Sequence, residues 1–285
     1  IVLMNNDLLK SHAKSFYWAS FFLSKEIYIK CSALYSFCRT LDDIADSSDG
    51  LENKKQSFAK FKNDFIDKNF DNFIVKRMWG LINDVNISKK VVLDLFDGVE
   101  TDLYEIVKIQ TKRDLLVYSY RVAGTVGLMM SKILKVEDKE ALKGAIDLGI
   151  AMQLTNIARD VVEDKKRNRK YIDHNFVSIE KTIQIAEIFY NKSFIAISSI
   201  PLRSRFSVIV ARRIYKKIGD YILKQKNIEN YNKAGKIYVP VFGKIIETLL
   251  SIYDFIKLLF VKKINYDNYI NHRILEKEIN LDERI

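Results

Sequence analysis

The sequence predicts an all-α fold, and three observations support that prediction. The 285 residues include only 2 prolines and 10 glycines, too few chain breakers for a β-sandwich or for many βα turns. Apolar residues recur at helical spacing along most of the chain, and strand-like alternation is scarce. Apolar residues make up 48% of the chain, enough for a large core. Since no linker or repeat is visible, we expect a single domain over residues 1–285.

The helices can be predicted in order from this periodicity. The clearest lies between Ser88 and Val107, where apolar residues follow the i, i+3/i+4, i+7 spacing of a core-facing helix with Ser88 as its N-cap. Cys31 and Cys38 fall on one face of another helix and indicate buried thiols in a reducing compartment. The further helices are predicted at about 25–46, 53–66, 114–133, 139–164, 178–198, 203–227 and 240–262.

The charge balance favours an anionic partner. Lys and Arg number 47 against 36 Asp and Glu, which gives a net charge of +11. No nucleic-acid-binding signature accompanies these residues, so a phosphorylated small molecule or an anionic lipid is favoured over nucleic acid. Motifs for a zinc site, a lipase elbow and a P-loop are absent from the sequence. No obligate protein partner is inferred.

Two acidic motifs on separate helices are the most informative feature. Each places two aspartates at i, i+4 on one helical face, Asp42 with Asp46 and Asp160 with Asp164. Like charges at this spacing repel, so a helix gains no stability from them. Other polar side chains continue each face, and we call the two sets the acidic stripes. These side chains are Tyr35 and Arg39 in the first stripe, and Gln153 and Asn156 in the second.

The acidic stripes predict a divalent-metal site. Four carboxylates around one cavity need cations, and oxygen ligands without His or Cys suit Mg²⁺, or Mn²⁺ in its place. The metal would bridge the aspartates to a diphosphate, to which Arg39 and Arg159 would add bidentate contacts. The basic run at residues 165–170 would close over the same phosphates or form an ordinary solvated loop. The alternative for each stripe is a merely solvent-exposed face.

Two further segments leave two interpretations each. Glycines inside the helical pattern at residues 118–127 cost about 1 kcal/mol each relative to Ala. This cost indicates either close helix packing or room for a long apolar substrate, with Tyr118 at the phosphate end.

The segment 240–264 is the most apolar, but Glu247, Asp254 and Lys257 interrupt it, so it does not predict a transmembrane helix. We expect a core helix there. The alternative is an apolar face resting on an anionic membrane, helped by the lysines at 262 and 263.

These motifs resemble the squalene/phytoene synthase family. The likeness spans about residues 8–245 and begins with His12-x-x-Ser15-Phe16-Tyr17. It continues through residues 33–46, 118–127 and 148–164, Arg169-Lys170-Tyr171 and, more weakly, Lys236-Ile237-Tyr238-Val239. Ala158 and Lys236 depart from the usual family pattern. The tail after about residue 266 matches nothing recognisable.

The resemblance implies an isoprenoid-synthase helical bundle around a central apolar cavity. It also implies Mg²⁺-dependent head-to-head condensation of two prenyl diphosphates through a cyclopropylcarbinyl diphosphate. The metal ligands would be Asp42, Asp46, Asn156, Asp160 and Asp164. The aspartates would be catalytic together with Arg39 and Tyr118. The substrate-binding residues would be His12, Ser15, Phe16, Tyr35, Phe37, Val122, Ala123, Gly127, Gln153, Leu154, Asn156, Arg159, Lys236 and Tyr238.

The identity of the product and the class of protein each have an alternative interpretation. We expect phytoene from two geranylgeranyl diphosphates, in a cytoplasmic enzyme with peripheral contact on the inner face of the membrane. Squalene, dehydrosqualene or presqualene diphosphate from farnesyl diphosphate is the alternative, and only squalene would require NADPH. A chain-elongating prenyl synthase would need a second DDxxD motif. A non-catalytic family relative acting as an assembly factor would be expected to lose the metal-binding aspartates, all of which are present here.

Overall fold

The computed structural model describes residues 14–261 and 270–285, and helices dominate this part of the chain, as predicted. Two-residue strands β1 (Val107–Lys108) and β2 (Arg169–Lys170) pair in parallel. Short 3₁₀ turns lie at Thr101–Leu103, Ile195–Ser199 and Leu281–Glu283, and a π-helical segment at Tyr120–Gly124. The α-helices are α1 Lys14–Ser20, α2 Lys25–Asp46, α3 Leu51–Ile66, α4 Phe73–Val85, α5 Lys89–Glu100, α6 Lys112–Ser119, α7 Thr125–Ile133, α8 Lys139–Lys166, α9 Phe176–Ser193, α10 Leu202–Leu223, α11 Ile228–Ala234, α12 Val241–Leu259 and α13 Ile270–Glu276.

Helix α8 forms the centre of the fold. Its N-cap Asp138 accepts a hydrogen bond from the backbone N–H of Ala141 at 2.8 Å. Apolar and small residues such as Leu142, Ile150 and Ala158 are buried on different sides of the helix. A helix that is apolar all round has to lie inside a fold. Accordingly α7, α9, α10 and the π-helical segment pack around it, and its C-terminal half carries the second acidic stripe.

Helix α2 carries the first acidic stripe and begins at the residue that the sequence predicts. The side chain of its N-cap, Ser24, accepts a hydrogen bond from the backbone N–H of Ile27 at 3.4 Å. Its buried face includes Phe37 and Leu41, which are fully buried, and packs on α3, α4, α5 and α7. The opposite side of α2 faces a cavity that α8 also lines.

The glycine-rich segment is a site of close helix packing. A Cβ on Gly127 would lie 2.3 Å from the carbonyl oxygen of Ala145, and one on Gly149 would lie 2.2 Å from that of Ala123. Only glycine therefore allows α7 and the π-helical segment to approach α8 this closely. The packing interpretation is confirmed, and the predicted helix over 114–133 is interrupted by the π-helical segment.

The structure also differs from the sequence-based helix predictions at α5 and α4. The helix predicted from Ser88 to Val107 ends at Glu100, because the chain tightens into a 3₁₀ turn and then enters β1. Helix α4 was not predicted. The side chain of its N-cap, Asn72, accepts hydrogen bonds from the backbone N–H groups of Ile74 and Val75.

The prediction of a core helix at 240–262 is wrong. Helix α12 turns its polar residues inward, with Glu247 and Asp254 buried against Arg213 of α10. Its large apolar residues are exposed instead. The carboxylates of Glu247 and Asp254 accept charge-assisted hydrogen bonds from the half-buried guanidinium of Arg213, and these bonds hold the polar side of α12 inward. Within residues 14–261 and 270–285, no helix is both long enough and apolar enough to cross a bilayer.

Candidate active site: two acidic stripes at one end of an apolar cavity

An elongated cavity runs along α2 and α8. Its volume is about 320 Å³, and its lining on α8 extends from Ala141 to Asn156. At a rise of 1.5 Å per residue, this stretch of helix is about 22 Å long. The lining on α2 extends from Cys31 to Asp42. On α2 and α8 the polar lining residues Tyr35, Asp42, Gln153 and Asn156 lie towards the C-terminal ends. The cavity therefore has a polar end, and the rest of its lining is mostly apolar with a few serines.

Several of the predicted site residues line this cavity. They come from α1, α2, α8 and the π-helical and α7 segment, so distant parts of the chain meet as the acidic stripes predict. These residues are Phe16, Tyr35, Asp42, Val122, Ala123, Gly127, Gln153 and Asn156.

The first acidic stripe holds an unusual carboxyl group. The side chain of Asp42 lines the cavity and is accessible from it, and desolvation by the surrounding protein together with the nearby charge of Asp46 raises the pKa of Asp42 to about 7. Asp46 accepts a 2.7 Å hydrogen bond from Arg169 and lies 3.0 Å from Arg167. Arg39 pairs with Asp43 at 2.6 Å, whereas its buried Nε has no hydrogen-bond partner among the described residues.

The second acidic stripe is similarly surrounded by cations. Arg159 donates two hydrogen bonds to Asp160, from Nε at 2.7 Å and from Nη2 at 2.6 Å. Lys236 lies 3.4 Å from the same carboxylate and 2.6 Å from Glu163. Desolvation, and then the charge of Asp160, raise the pKa of Asp164 to about 7. Each stripe therefore holds one carboxyl group with a raised pKa. A cation bound nearby would stabilise the ionised form of both groups.

Asp102 links the two stripes, and sequence analysis missed it. Its side chain accepts hydrogen bonds from Tyr118 at 2.9 Å and from Tyr171 at 2.5 Å. Its charge contributes to the raised pKa values of both Asp42 and Asp164, so it lies between the stripes. No motif marks this residue, because its position results from the 3₁₀ turn after α5.

Arg169 owes its position to the short strand pair. In the parallel ladder, Val107 is opposite Arg169 and Lys108 is opposite Lys170. Because side chains alternate along a strand, Arg169 is buried while Lys170 is exposed. Arg169 then donates to Asp46 and to the backbone carbonyls of Ala45 and Asp102. The basic run therefore contributes Arg169 to the site and is not only a solvated loop.

Some predicted site residues lie elsewhere. Phe37 is fully buried against Phe61, Phe65 and Phe96, on the side of α2 away from the cavity, and Leu154 is fully buried outside the cavity lining. The prediction that these two line the cavity is wrong, because Phe37 lies on the face of α2 opposite to its stripe and Leu154 lies to one side of the stripe on α8.

The remaining predicted residues are placed as follows. Tyr118 is buried with Asp102 and stacks on Tyr171, outside the cavity lining. Ser15 is half-buried on α1. Tyr238 is exposed, with its ring centroid 5.8 Å from the guanidinium of Arg159. His12 lies outside the described residues.

The oxygen donors at the polar end fit a hard divalent cation. Asn156 lines the cavity, and its buried Oδ1 has no hydrogen-bond partner among the residues that the structure describes. Across those same residues, no group of three or more His, Cys, Asp or Glu side chains is close enough to hold a metal alone. A metal here would therefore need ligands from a bound phosphate, as is common for Mg²⁺.

An elongated apolar cavity with Asp42 at its polar end, beside acidic stripes that are paired with arginines, is typical of an all-α enzyme whose substrate has a long apolar chain and an anionic head. Comparison with known proteins places it more narrowly. Residues 9–175 match the family model for squalene/phytoene synthase, and the chain belongs to that family. It is therefore a prenyltransferase, as the sequence resemblance implies.

Relatives of similar length support this assignment. The 15-cis-phytoene synthase of Enterobacter agglomerans is 31% identical over 241 residues, which cover 73% of this chain and 81% of the relative. That of Pantoea ananas is 29% identical over 76% of this chain and 83% of its own. A solved dehydrosqualene synthase in complex with ligand matches with a TM-score of 0.75 at 27% identity, over 86% of this chain and 93% of that one. Squalene synthase HpnC from Alicyclobacillus acidocaldarius matches in fold, with a TM-score of 0.66 at 18% identity over 76% of this chain and 91% of that one.

Proposed function

We propose that this enzyme joins two geranylgeranyl diphosphates head to head, through a cyclopropylcarbinyl diphosphate, to give phytoene for carotenoid biosynthesis. The observation that carries the proposal is the elongated apolar cavity, whose polar end is lined by Asp42 of the first acidic stripe and by Gln153 and Asn156 of the second. The names of the two bacterial relatives favour phytoene. The likeness to a dehydrosqualene synthase structure favours the alternative, in which two farnesyl diphosphates give dehydrosqualene, presqualene diphosphate or squalene. NADPH would be needed only for squalene.

The polar end would hold the diphosphate groups. Asp42, Asp46, Asn156, Asp160 and Asp164 would hold Mg²⁺, or Mn²⁺ in its place. When bound, the metal would neutralise charge on the diphosphate and so stabilise it as a leaving group.

Basic side chains already in place would complete the diphosphate site. Arg39 has an unpartnered Nε, and Arg159 and Lys236 lie beside Asp160. Their positive charges would stabilise the negative charge that develops as the diphosphate leaves. We expect these side chains to exchange part of their carboxylate contacts for phosphate oxygens when substrate binds.

The apolar walls and the tyrosine pair would serve the carbocation chemistry. Val122, Ala123 and Gly127 line the chain-binding part of the cavity and would exclude the water that quenches an allylic cation. Burial raises the pKa of Tyr118 well above its ordinary value, so its phenol stays protonated and donates to Asp102. From this position Tyr118 would assist ionisation or proton transfer. We further propose a cytoplasmic location with peripheral contact on the inner face of the membrane.

The direct test is the identity of the product. Purified protein is incubated with geranylgeranyl or farnesyl diphosphate and Mg²⁺, with and without NADPH, and the hydrocarbons are identified by mass spectrometry. We expect phytoene from the C20 substrate without NADPH, and no product when EDTA removes the metal. A C30 hydrocarbon formed from farnesyl diphosphate alone would favour the alternative. No condensation of either substrate, or turnover that persists in EDTA, would contradict the proposal.

A further inference from the structure

Helix α12 exposes a continuous apolar face. Its inward side carries Glu247, Ser251 and Asp254, which are 5%, 0% and 8% exposed. Large exposed apolar surfaces of this kind mark interaction sites on soluble proteins. We define the α12 face as the following residues, each between 40% and 77% exposed: Val241, Phe242, Ile245, Ile246, Leu249, Leu250, Ile252, Tyr253, Ile256, Leu259 and Phe260.

The orientation of α12 is fixed by specific contacts. Arg213 of α10 donates to Glu247 from Nε at 2.9 Å and to Asp254 from Nη1 at 2.7 Å. The indole N–H of Trp18 in α1 donates to the hydroxyl of Thr248 at 3.0 Å. Turning the apolar residues inward would break these bonds and leave charged groups of the core without partners. The exposure of the α12 face is therefore built into the fold.

The α12 face lies beside the walls of the apolar cavity. The ring of Phe22, 37% exposed, contacts Phe206 at 4.9 Å, and Phe206 contacts Phe255 of α12 at 6.1 Å. Phe22 lies two residues after the end of α1, and α1 lines the cavity. Helix α12 also packs on the 3₁₀ turn that begins at Ile195, and residues of that turn line the cavity at the end where Ala141 lies.

The charge of this surface selects the partner. Both acidic residues of α12 point inward and are paired with Arg213, whereas Lys257 is exposed. The chain as a whole carries a net charge of +11. An apolar face that carries an exposed lysine and no acidic side chain of its own helix is typical of helices that lie in the plane of an anionic bilayer.

We propose that the α12 face docks on a bilayer containing anionic lipid, with the helix lying in the membrane plane. Docking deepens the proposed function, because it names the surface that would make the membrane contact. One consequence rests on that function: a water-insoluble hydrocarbon product could pass from the cavity into the lipid beside it. The docking itself depends on the surface alone, so it can be tested without substrate.

The test is vesicle flotation of the full chain and its variants. The double variant Phe242→Glu/Leu249→Glu places two carboxylates on the α12 face. Phe73→Glu is the matched control, because Phe73 also lies at the start of a helix and is 55% exposed. We expect the unmodified protein and Phe73→Glu to float with phosphatidylcholine vesicles that contain phosphatidylglycerol. Binding should be at least about tenfold weaker for the double variant, and for vesicles of phosphatidylcholine alone.

Thermal unfolding and light scattering complete the test. We expect an unchanged unfolding midpoint for the double variant, because both side chains are exposed. Unmodified protein that does not float, or a double variant that floats as well as the unmodified protein, would overturn the proposal. The proposal would also be overturned if light scattering showed a dimer for the unmodified protein and a monomer for the double variant, since the face would then bind a second copy. Prenyl diphosphate turnover without vesicles should be the same in all three proteins; its absence from all of them, with flotation intact, would contradict the proposed function and not the docking.

Discussion

Asp42 and Asp43 are neighbours in one motif but have different surroundings. Asp42 lines the cavity, and its pKa is raised to about 7 by desolvation and by the charge of Asp46. Asp43 lies outside the cavity lining and pairs with Arg39 at 2.6 Å. We therefore propose that Asp42 faces a bound diphosphate and that Asp43 supports the site through its ion pair with Arg39.

Replacing each aspartate separately tests this assignment. We expect Asp42→Asn to lower kcat/KM by about a hundredfold or more, because it removes a charge that acts on the leaving diphosphate through the metal. We expect Asp43→Asn to lower it by less than about tenfold. The unfolding midpoint of Asp42→Asn should not fall, since the substitution removes repulsion between like charges. Equal loss of activity in the two variants, or a lower midpoint for Asp42→Asn, would contradict the assignment.

For single residues, the sequence predicts the position of those whose place on a helix follows from their spacing. Asp42 and Asp46 are one helical turn apart, so their shared face follows from the period of the helix. Asp102 could not be predicted, because its role depends on Tyr171 and Arg169, which lie far away in the sequence. Phe37 was misplaced for a related reason, since it lies in the same motif but on the opposite face of α2.

The close contact between the π-helical segment and α8 helps to shape the cavity wall. Gly149 approaches the carbonyl oxygen of Ala123 so closely that a Cβ there would lie 2.2 Å from it. Ala123 also lines the cavity, so any shift that relieves this contact moves the cavity wall.

Alanine substitutions at two glycines test this packing. We expect Gly149→Ala to lower the free energy of unfolding by about 1–3 kcal/mol, because a backbone atom cannot move aside as a flexible side chain does. Gly80→Ala is the control. Gly80 is an exposed residue within α4 with no atom within 4 Å of an added Cβ, so we expect a gain of up to about 1 kcal/mol from helix propensity. Denaturant unfolding measures both, and equal stability of Gly149→Ala and the unmodified protein would contradict the close packing.

Helices with local signals could be predicted, and those governed by distant partners could not. The start of α2 at Lys25 and that of α8 at Lys139 follow from their caps and periodicity. The orientation of α12 could not be predicted, because it depends on Arg213 of another helix. The same holds for β1 and β2, since two-residue strands carry no periodic signal.

The whole molecule holds the two acidic stripes at one end of the cavity without uniting them into a metal site. No group of three or more His, Cys, Asp or Glu side chains meets at metal-binding distance within the described part of the chain. We therefore expect metal and diphosphate to bind together, because the metal needs phosphate oxygens as further ligands and the diphosphate needs a cation between it and the carboxylates.

A thermal-shift experiment measures this coupling without turnover. Ligands that bind only the folded state stabilise it by about 2.7 kcal/mol at 100 times Kd. For a protein of this size we expect Mg²⁺ with inorganic pyrophosphate to raise Tm by about 5 °C or more, and either alone to raise it much less. Asp42→Asn/Asp160→Asn should abolish the joint effect. An equal shift in that variant, or shifts from the two ligands that merely add, would contradict joint binding.

The most direct test of the central claim is a crystal structure with Mn²⁺ and a geranylgeranyl thiodiphosphate, which resists ionisation, with manganese located by anomalous scattering. We predict manganese peaks between the diphosphate and carboxylates of both acidic stripes, and a prenyl chain that runs along α8 towards Ala141. Manganese bound away from the stripes, or a prenyl chain outside the cavity, would contradict the account.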